Sequence, residues 1–199
     1  RIIGVEPFKN YYNNLKIKYK NNKNIKLLNY AVSNKNTISN FYYNNKIVDK
    51  EAFSLKKDNK FNKIQKIKCK TLIKILKNKS ASIIKIDTEG SEYDILKISK
   101  NILLHNKPAI FIEITDKTFK NIINFFKKNN YHSYIYEKNI FKKKLKNNWK
   151  KGNVITNNEF NNEIFENDKF KNIKKSFMFN IIAIPKENKK YLKNFKIIS

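Results

Sequence analysis

The sequence predicts an α/β domain built on a mostly parallel sheet with helices on both faces. Short apolar segments alternate with segments of helical periodicity along most of the chain. Two of the apolar segments, residues 83–86 and 109–112, are almost free of polar side chains, which is typical of strands that are covered on both faces. The 199 residues are 40% hydrophobic, which is enough for one domain with a hydrophobic core.

The first part of the chain is predicted to contain three strands and one helix. Residues 2–5 form a short apolar strand that a proline ends. Residues 8–20 carry apolar side chains near helical spacing. Residues 25–32 predict a second strand, and the alternating residues 37–43 predict a third, at an edge of the sheet. Residues 44–63 are polar and lysine-rich and are predicted to form a surface loop.

The middle of the chain contains the clearest strand–helix unit. A short helix at 71–78 precedes a strand at 82–87, and Gly90 ends that strand. Ser91 with Asp94 resembles a capping box. The helix that follows is predicted to turn three isoleucines toward the core, namely Ile95, Ile98 and Ile102.

The last part repeats this alternation. Pro108 precedes a predicted strand at 109–114, and a helix follows at 118–130 with Phe119, Ile122, Ile123 and Phe126 facing inward. A strand at 131–136 and a final strand at 179–184 complete the elements.

We expect one domain over residues 1–199. Its core is residues 1–136, and its final strand is residues 177–185. Between them, residues 137–176 are rich in Lys, Asn and Glu with weak periodicity, which predicts a variable insertion. Residues 186–199 form a basic tail.

The formal charge of +28 first suggests a nucleic-acid partner. Arg1 is the only arginine, however, and arginine is the residue that grips phosphate and reads guanine in a fork. Lys, Asn, Ile, Tyr and Phe are abundant together, which indicates a compositional bias. We therefore expect no specific nucleic-acid partner.

Other classes of protein are excluded by simpler counts. Cys69 is the only cysteine, so no internal disulfide forms. The apolar runs are too short to span a membrane, and we expect a cytoplasmic protein. His105 and His132 lack metal-ligand spacing to each other or to Cys69, so no metal is expected. The three glycines provide no phosphate-binding loop.

Carboxylates stand near the ends of three apolar strands, at Glu6, Asp87 and Glu113. Ligands of open α/β sheets bind beyond the carboxyl ends of the strands, and a charge near a core needs a partner or a purpose. The three positions predict one shared site, to which Glu89, two residues after Asp87, also belongs.

Structural roles are an alternative for each of these carboxylates. Glu6 could cap the helix that follows it. Asp87 and Glu89 could form only a turn and a helix cap. Glu113 could pair with a core lysine such as Lys85.

Several segments together resemble the FkbM-type methyltransferases. Residues 4–8 (GVEPF), followed by Tyr12 and Leu15, resemble the family's FEP…Y…L stretch. Residues 29–34 (NYAVSN) resemble its AVSD segment, and the FY at 41–42 resembles the FY after it.

The later segments occur in the family's order. Residues 71–72 resemble TLD, and residues 84–92 (IKIDTEGSE) are close to IKIDVEGxE, the most specific match. Residues 108–114 resemble PxIxxEI, and residues 180–185 resemble the closing N…AIP. The ordered set carries the resemblance.

The resemblance implies a Rossmann-like class I methyltransferase fold that uses S-adenosyl-L-methionine. It places Glu6 at the ribose hydroxyls of the cofactor, and Tyr30, Ala31 and Val32 near the adenine. Family members act mainly as O-methyltransferases, often on sugars or secondary metabolites.

The same resemblance places Asp87 and Glu89 near the transferred methyl group and the acceptor. An acceptor hydroxyl must lose or share its proton, and a carboxylate can take it. We therefore expect Asp87 to act as base or orienting group, with Glu89 and Glu113 in support.

The sequence also departs from the family. The family's first strand and glycine loop precede FEP, and this chain starts after them, so we expect a domain truncated at its N-terminus. Ile73 replaces the aspartate of TLD. Two alternatives follow, an inactive remnant of a methyltransferase and a basic module that binds RNA or another polyanion with the lysines at 137–151.

Overall fold

The protein is described here from a computed structural model. The structure describes residues 1–44, 53–55, 57, 59, 62–88, 90–115, 117–136, 154–156 and 178–188. Strands and helices alternate along this part of the chain, so the predicted α/β class is confirmed. Two compact units are formed, Arg1–Lys79 and Ser80–Ser199, whereas a single domain over residues 1–199 stays a prediction.

The first unit begins with a strand, a helix and a second strand. Strand β1 is Ile2–Val5, helix α1 is Lys9–Lys18 and strand β2 is Ile25–Leu28. The two strands pair in parallel. A Cβ at Gly4 would stand 2.9 Å from the Cδ2 atom of Leu27, its register partner, so the glycine makes room for the Leu27 side chain.

A second sheet of the first unit has the order β3-β6-β4-β5. Its strands are β3 at Ala31–Val32, β4 at Thr37–Tyr43, β5 at Phe53–Ser54 and β6 at Lys63–Lys70. Strand β3 pairs with β6 in parallel, and β4 pairs with β5 and β6 in antiparallel fashion. The prediction that residues 37–43 form an edge strand is wrong at the end of β4, because the short strand β5 pairs there with Tyr42 and Tyr43.

Two boundaries in this unit also differ from the prediction. Residues 25–32 form two strands in two sheets, because the chain leaves β2 after Leu28 and the Asn29 side chain bonds to the backbone of the neighbouring β1 segment. The predicted loop at 44–63 contains β5 and the first residue of β6, whereas residues 45–52 lie outside the described residues.

The core of the first unit is small. Ala31, Phe41, Ile67 and Cys69 are buried together, with Phe8 and Leu55 packed against them. Helix α2, Leu72–Leu76, begins after Thr71, whose hydroxyl oxygen accepts a hydrogen bond from the backbone N–H of Lys74. The predicted short helix at 71–78 is confirmed.

The second unit continues the strand–helix alternation. Strand β7 is Ile83–Ile86, helix α3 is Glu92–Ile98, helix α4 is Lys100–Asn106, strand β8 is Ala109–Thr115 and helix α5 is Phe119–Lys128. These elements lie where the sequence predicts them, except that one predicted helix is divided at Ser99 into α3 and α4.

Three further strands complete a five-stranded sheet with the order β10-β9-β11-β8-β7. Strand β9 is Tyr131–Tyr136, β10 is Val154–Thr156 and β11 is Met178–Pro185. Strands β7 and β8 are parallel, whereas β11 is antiparallel to both β8 and β9. The predicted strands at 131–136 and 179–184 are confirmed.

The expectation of one mostly parallel sheet is met only in part. The described strands form three sheets, and parallel pairing joins β1 to β2, β3 to β6 and β7 to β8. The other pairs are antiparallel, because β4 lies against β6 and because β11 enters between β8 and β9 in the opposite direction.

One face of the five-stranded sheet carries the core of the second unit. Ile110, Ile112 and Ile114 of β8 are fully buried, and helices α3 and α5 pack on this strand. The intervening side chains of β8 are half-buried. Ile83 of β7 is 75% exposed, so the expectation that both faces of these strands are covered is wrong at this position.

Helix α5 buries the residues that the sequence predicts, whereas helices α3 and α4 differ from the prediction at one position. In α5, Phe119, Ile122 and Phe126 are buried as predicted. In the divided helix, the buried residues include Ile95 and Leu103, whereas Ile98 is 46% exposed. The prediction of Ile98 as an inward residue is therefore wrong, because the buried face runs through Ile95, Ser99 and Leu103 at helical spacing and Ile98 lies beside it.

Candidate functional site

Glu6 lies immediately after β1, at the carboxyl end of the parallel pair β1–β2. Its backbone N–H donates to the carbonyl oxygen of Leu28 at 3.0 Å, which holds the residue against the neighbouring strand. Its carboxylate oxygen Oε1 accepts the backbone N–H of Phe8 at 2.7 Å. Phe8 is the N-cap residue of α1, so the carboxylate takes part in the start of that helix, as the structural alternative expects.

Asn29 connects the same two strand ends and was missed as a functional candidate by the sequence reasoning. Its side-chain amide nitrogen donates to the carbonyl oxygens of Glu6, at 2.8 Å, and Pro7, at 2.9 Å. One side chain therefore fixes the backbone that carries the Glu6 carboxylate. The asparagine directly after an apolar strand was the available signal, since amides at strand ends often bond to neighbouring backbone.

The three residues expected near the adenine follow Asn29. Tyr30 and Val32 are half-buried, and Ala31 is 4% exposed within the core of the unit. Tyr30 and Asn29 line a cleft of about 440 Å³. Apolar and cationic side chains complete its lining, among them Pro7, Tyr12, Leu28 and Lys68.

Lys70 gives Tyr30 a cationic neighbour. The Lys70 Nζ atom lies 3.9 Å from the centroid of the Tyr30 ring, within the range of a cation–π contact. A hydrogen bond with Lys70, and then the positive charge of that lysine, lower the pKa of the Tyr30 phenol. This side of the unit thus offers an aromatic face and positive charge next to the cleft.

In the second unit, Asp87 follows β7 and forms an ion pair. The Lys85 Nζ atom lies 2.7 Å from Asp87 Oδ2, and the two side chains are 60% and 40% exposed. The ion pair of Lys85 is thus with Asp87 rather than with Glu113, the partner that the structural alternative expects. Exposed pairs of this kind contribute about 0–1 kcal/mol to stability.

Glu113 lies next to the position of Asp87 on the sheet. Ile86, the last residue of β7, is the register partner of Ile112 in the parallel pair β7–β8. Asp87 follows β7, and Glu113 follows Ile112 within β8, two residues before that strand ends at Thr115. Neighbouring strands are about 4.8 Å apart. The structure therefore brings together two of the predicted acidic residues.

Asn180 extends this pair on the other side of Glu113. The two are register partners in the antiparallel pair of β11 and β8, so their side chains share one face of the sheet. Both are half-buried. We call Asp87, Glu113 and Asn180 the polar row. Sequence reasoning missed Asn180 as a site residue, although it begins the apolar run of the last strand.

The turn after β7 is held by a further carboxylate, that of Glu92. Its Oε1 atom accepts hydrogen bonds from the Thr88 N–H at 2.9 Å, the Thr88 hydroxyl at 2.9 Å and the Gly90 N–H at 3.0 Å. The predicted Ser91–Asp94 capping box is wrong, because the Ser91 side chain makes no capping hydrogen bond. Glu92 takes over the turn instead.

Several residues of the predicted site and of the alternative polyanion site stay predictions. Glu89 and the lysine-rich segment 137–151 lie outside the described residues. Glu6 belongs to the first unit, and Asp87 and Glu113 belong to the second; one site shared by all three stays a prediction.

The described residues contain neither a cluster suited to a metal ion nor a helix suited to crossing a membrane. Within the described ranges, no group of three or more His, Cys, Asp or Glu side chains is placed to hold a metal ion. No helix in the same part of the chain combines the length and the apolar character that crossing a membrane requires.

The methyltransferase FkbM domain matches residues 1–133, which include β1 and end within β9. No curated protein and no solved structure matches the chain.

Proposed function

The chain belongs to the FkbM methyltransferase family, and from this premise we propose that it transfers a methyl group from S-adenosylmethionine to a hydroxyl oxygen. The proposed acceptor is a sugar, a glycan or a hydroxylated secondary metabolite. The proposed fold is the Rossmann-like class I arrangement, in which ligands bind beyond the carboxyl ends of the strands. Glu6 and Asp87 directly follow the ends of β1 and β7, and Glu113 lies two residues before the end of β8, which supports this arrangement.

The polar row is the observation that carries the proposal. Asp87 follows the end of β7, Glu113 follows the register partner of Ile86 in the neighbouring parallel strand β8, and Asn180 is the register partner of Glu113. Two carboxylates accept hydrogen bonds, and an amide both donates and accepts them. Such a set suits an acceptor with several hydroxyl groups, because these can donate to the two carboxylates and one of them can accept from the Asn180 amide.

The residues at the end of β1 and β2 fit the nucleoside part of S-adenosylmethionine. Glu6 provides a half-buried carboxylate, which can accept hydrogen bonds from two neighbouring ribose hydroxyls. The adjoining cleft of about 440 Å³ lies within the size range of small-molecule sites. The Tyr30 ring on its wall offers a flat surface for a purine base.

In the proposed reaction, the bound cofactor supplies an electrophilic methyl group on a positively charged sulfur. Asp87 would receive or share the proton of the acceptor hydroxyl as the O–CH₃ bond forms and the methyl–sulfur bond breaks, with its electron pair staying on the sulfur of the departing S-adenosylhomocysteine. Glu113 and Asn180 orient that hydroxyl, because the acceptor oxygen and the methyl carbon must meet at about 3 Å. General-base assistance of this kind contributes about 10²–10⁴-fold to a rate.

Two measurements test the proposal. The first is a calorimetric titration of the chain with S-adenosylhomocysteine, for which we expect a dissociation constant in the micromolar range. The second follows labelled methyl from S-adenosylmethionine into a panel of sugars and phenols, with product mass as readout. Binding with transfer to an oxygen supports the proposal, whereas transfer only to nitrogen or carbon acceptors contradicts it.

A further inference from the structure

We propose that Glu92 is a positioning residue that holds the backbone after β7 in the shape that presents Asp87 to the acceptor. The inference rests on the proposed function for the role of Asp87. Its structural part, the control of the turn by Glu92, stands on contacts that are independent of any reaction.

The carboxylate of Glu92 is buried and fully used. The residue is 2% exposed, its Oε1 atom accepts from Thr88 twice and from Gly90 once, and its Oε2 atom also lies 3.0 Å from the Gly90 nitrogen. A carboxylate is costly to bury unless hydrogen bonds replace its water. At this position, the hydrogen bonds to the turn are what offsets the cost of burying the carboxylate.

These bonds do not serve as an ordinary helix cap. The unpaired N–H groups of a helix belong to its first turn, which in α3 begins at Glu92 itself. Glu92 instead accepts from Thr88 and Gly90, which precede the helix. The carboxylate therefore fastens the start of α3 back onto the residues that follow Asp87, and the turn between strand and helix is its target.

The backbone of the turn adopts a conformation that needs such support. Gly90 has a φ of 103°, a region that L residues other than glycine rarely adopt. A Cβ at Gly90 would meet no atom within 4 Å, so the glycine is required for its backbone angle rather than for space. The hydrogen bonds from Thr88 and Gly90 to one carboxylate select this conformation from the many that a glycine allows.

The consequence for Asp87 follows from its place in the chain. It is joined directly to Thr88, whose N–H and hydroxyl are both held by Glu92. A displacement of about 1 Å at a reacting group costs about 10²-fold in rate. Release of the turn should therefore reduce turnover more than it weakens cofactor binding.

The test compares Glu92→Ala and Glu92→Gln with the matched control Asp94→Ala, which removes another acid from the first turn of α3. The glutamine oxygen can still accept from Thr88 and Gly90, but the side chain has no charge. We expect kcat to fall about 100-fold in Glu92→Ala, with the dissociation constant of S-adenosylhomocysteine within about threefold of wild type. Glu92→Gln should restore kcat to within about fivefold, and Asp94→Ala should match wild type.

Two outcomes would overturn the proposal. Equal loss of kcat in Glu92→Gln and Glu92→Ala, with a changed acid limb of the pH profile, would mean that the charge itself takes part in catalysis. An unchanged kcat in Glu92→Ala would mean that the presentation of Asp87 to the acceptor does not depend on Glu92.

Amide hydrogen exchange separates this proposal from the proposed function. The N–H groups of Thr88 and Gly90 should exchange faster in Glu92→Ala than in wild type and should stay protected in Glu92→Gln. This readout needs no acceptor, so it holds even if no methyl transfer is found. If Glu92→Ala does not fold, Thr88→Val supplies the second variant, since it removes only the hydroxyl bond; unchanged exchange at Gly90 and Thr88 in the folded variants overturns the inference.

Discussion

The side-chain amide of Asn29 donates a hydrogen bond of 2.8 Å to the carbonyl oxygen of Glu6. A second bond, of 2.9 Å, goes to Pro7. The end of β2 thereby fixes the end of β1, where the proposed cofactor carboxylate stands. One polar side chain that bonds to the backbone of the neighbouring strand end thus positions the residue that carries the proposed cofactor contact.

Asn29→Ala should therefore weaken both stability and cofactor binding. Loss of the two bonds leaves partly buried carbonyl oxygens without their amide partner, for which we expect about 1–2 kcal/mol in the free energy of unfolding. The dissociation constant of S-adenosylhomocysteine should rise as the Glu6 backbone loosens. Urea unfolding and calorimetric titration measure the two effects, with exposed Asn24→Ala as control. A variant that is as stable as wild type would show that these bonds contribute nothing.

Glu6→Gln tests the cofactor contact apart from the helix cap. The glutamine oxygen can still accept the N–H of Phe8, which Glu6 Oε1 accepts at 2.7 Å, so stability should change by about 0.5 kcal/mol or less. Hydrogen bonds from ribose hydroxyls to a charged group are roughly twice as strong as those to a neutral one. We expect the dissociation constant of S-adenosylhomocysteine to rise about tenfold. Unaltered binding would leave Glu6 with the structural role alone.

Asp87→Asn should lower turnover far more than cofactor binding. The amide keeps the size of the side chain but takes no proton, so we expect kcat to fall by about 10²–10⁴-fold. Lys85→Met is the matched control, because it removes the 2.7 Å ion pair and leaves the carboxylate in place; its stability should change by less than about 1 kcal/mol. Steady-state kinetics measure this with an acceptor that the wild-type protein methylates. Equal activity of Asp87→Asn and wild type would rule out the assignment.

Much of the secondary structure could be predicted, because the apolar runs and helical periods are local signals. The strands at residues 2–5 and 131–136 and the burial of Phe126 follow from such patterns. The pairing partners could not be predicted in the same way. That β11 enters antiparallel beside β8 depends on contacts between segments more than 60 residues apart in the sequence.

The same difference between local patterns and three-dimensional contacts applies to the candidate site. Asp87 and Glu113 were found from carboxylates at the ends of apolar strands. Asn180 was missed because only the register of β11 brings it beside Glu113. Glu92 was missed because the Ser91–Asp94 spacing resembled a cap, whereas the preceding turn attracts the neighbouring carboxylate through three donors.

Asn180→Ala should alter the use of the acceptor rather than of the cofactor. As the register partner of Glu113, its amide can donate to an acceptor oxygen that a carboxylate would repel. We expect KM for the acceptor to rise about tenfold, which corresponds to the loss of one net hydrogen bond, and the binding of S-adenosylhomocysteine to stay constant. Asn180→Asp should show a larger effect, since it adds a second charge beside Glu113. An unchanged KM in both variants would remove Asn180 from the acceptor site.

Cys69 gives the first unit a stability that depends on pH. The thiol is 3% exposed, and burial raises its pKa above the ordinary value, against a smaller opposite effect of a hydrogen bond with the Ser39 backbone. As the pH rises, the unfolded chain loses this proton first. The unfolded state then binds fewer protons than the native state, so the thiol's contribution to the free energy of unfolding falls as the pH passes through the ordinary thiol range.

Cys69→Ala has no thiol to titrate, so its stability does not fall with pH for this reason. The difference in the free energy of unfolding between wild type and Cys69→Ala should therefore become smaller from pH 7 to pH 10. Ile67→Val is the matched control, because it trims a neighbour in the same core cluster by one methylene and adds no titrating group. Its deficit, about 0.5–1.5 kcal/mol, should be the same at both pH values. Urea unfolding of the three proteins at both pH values provides the comparison. A deficit of Cys69→Ala that stays constant or grows with pH would show that the buried thiol does not keep its proton in the native state.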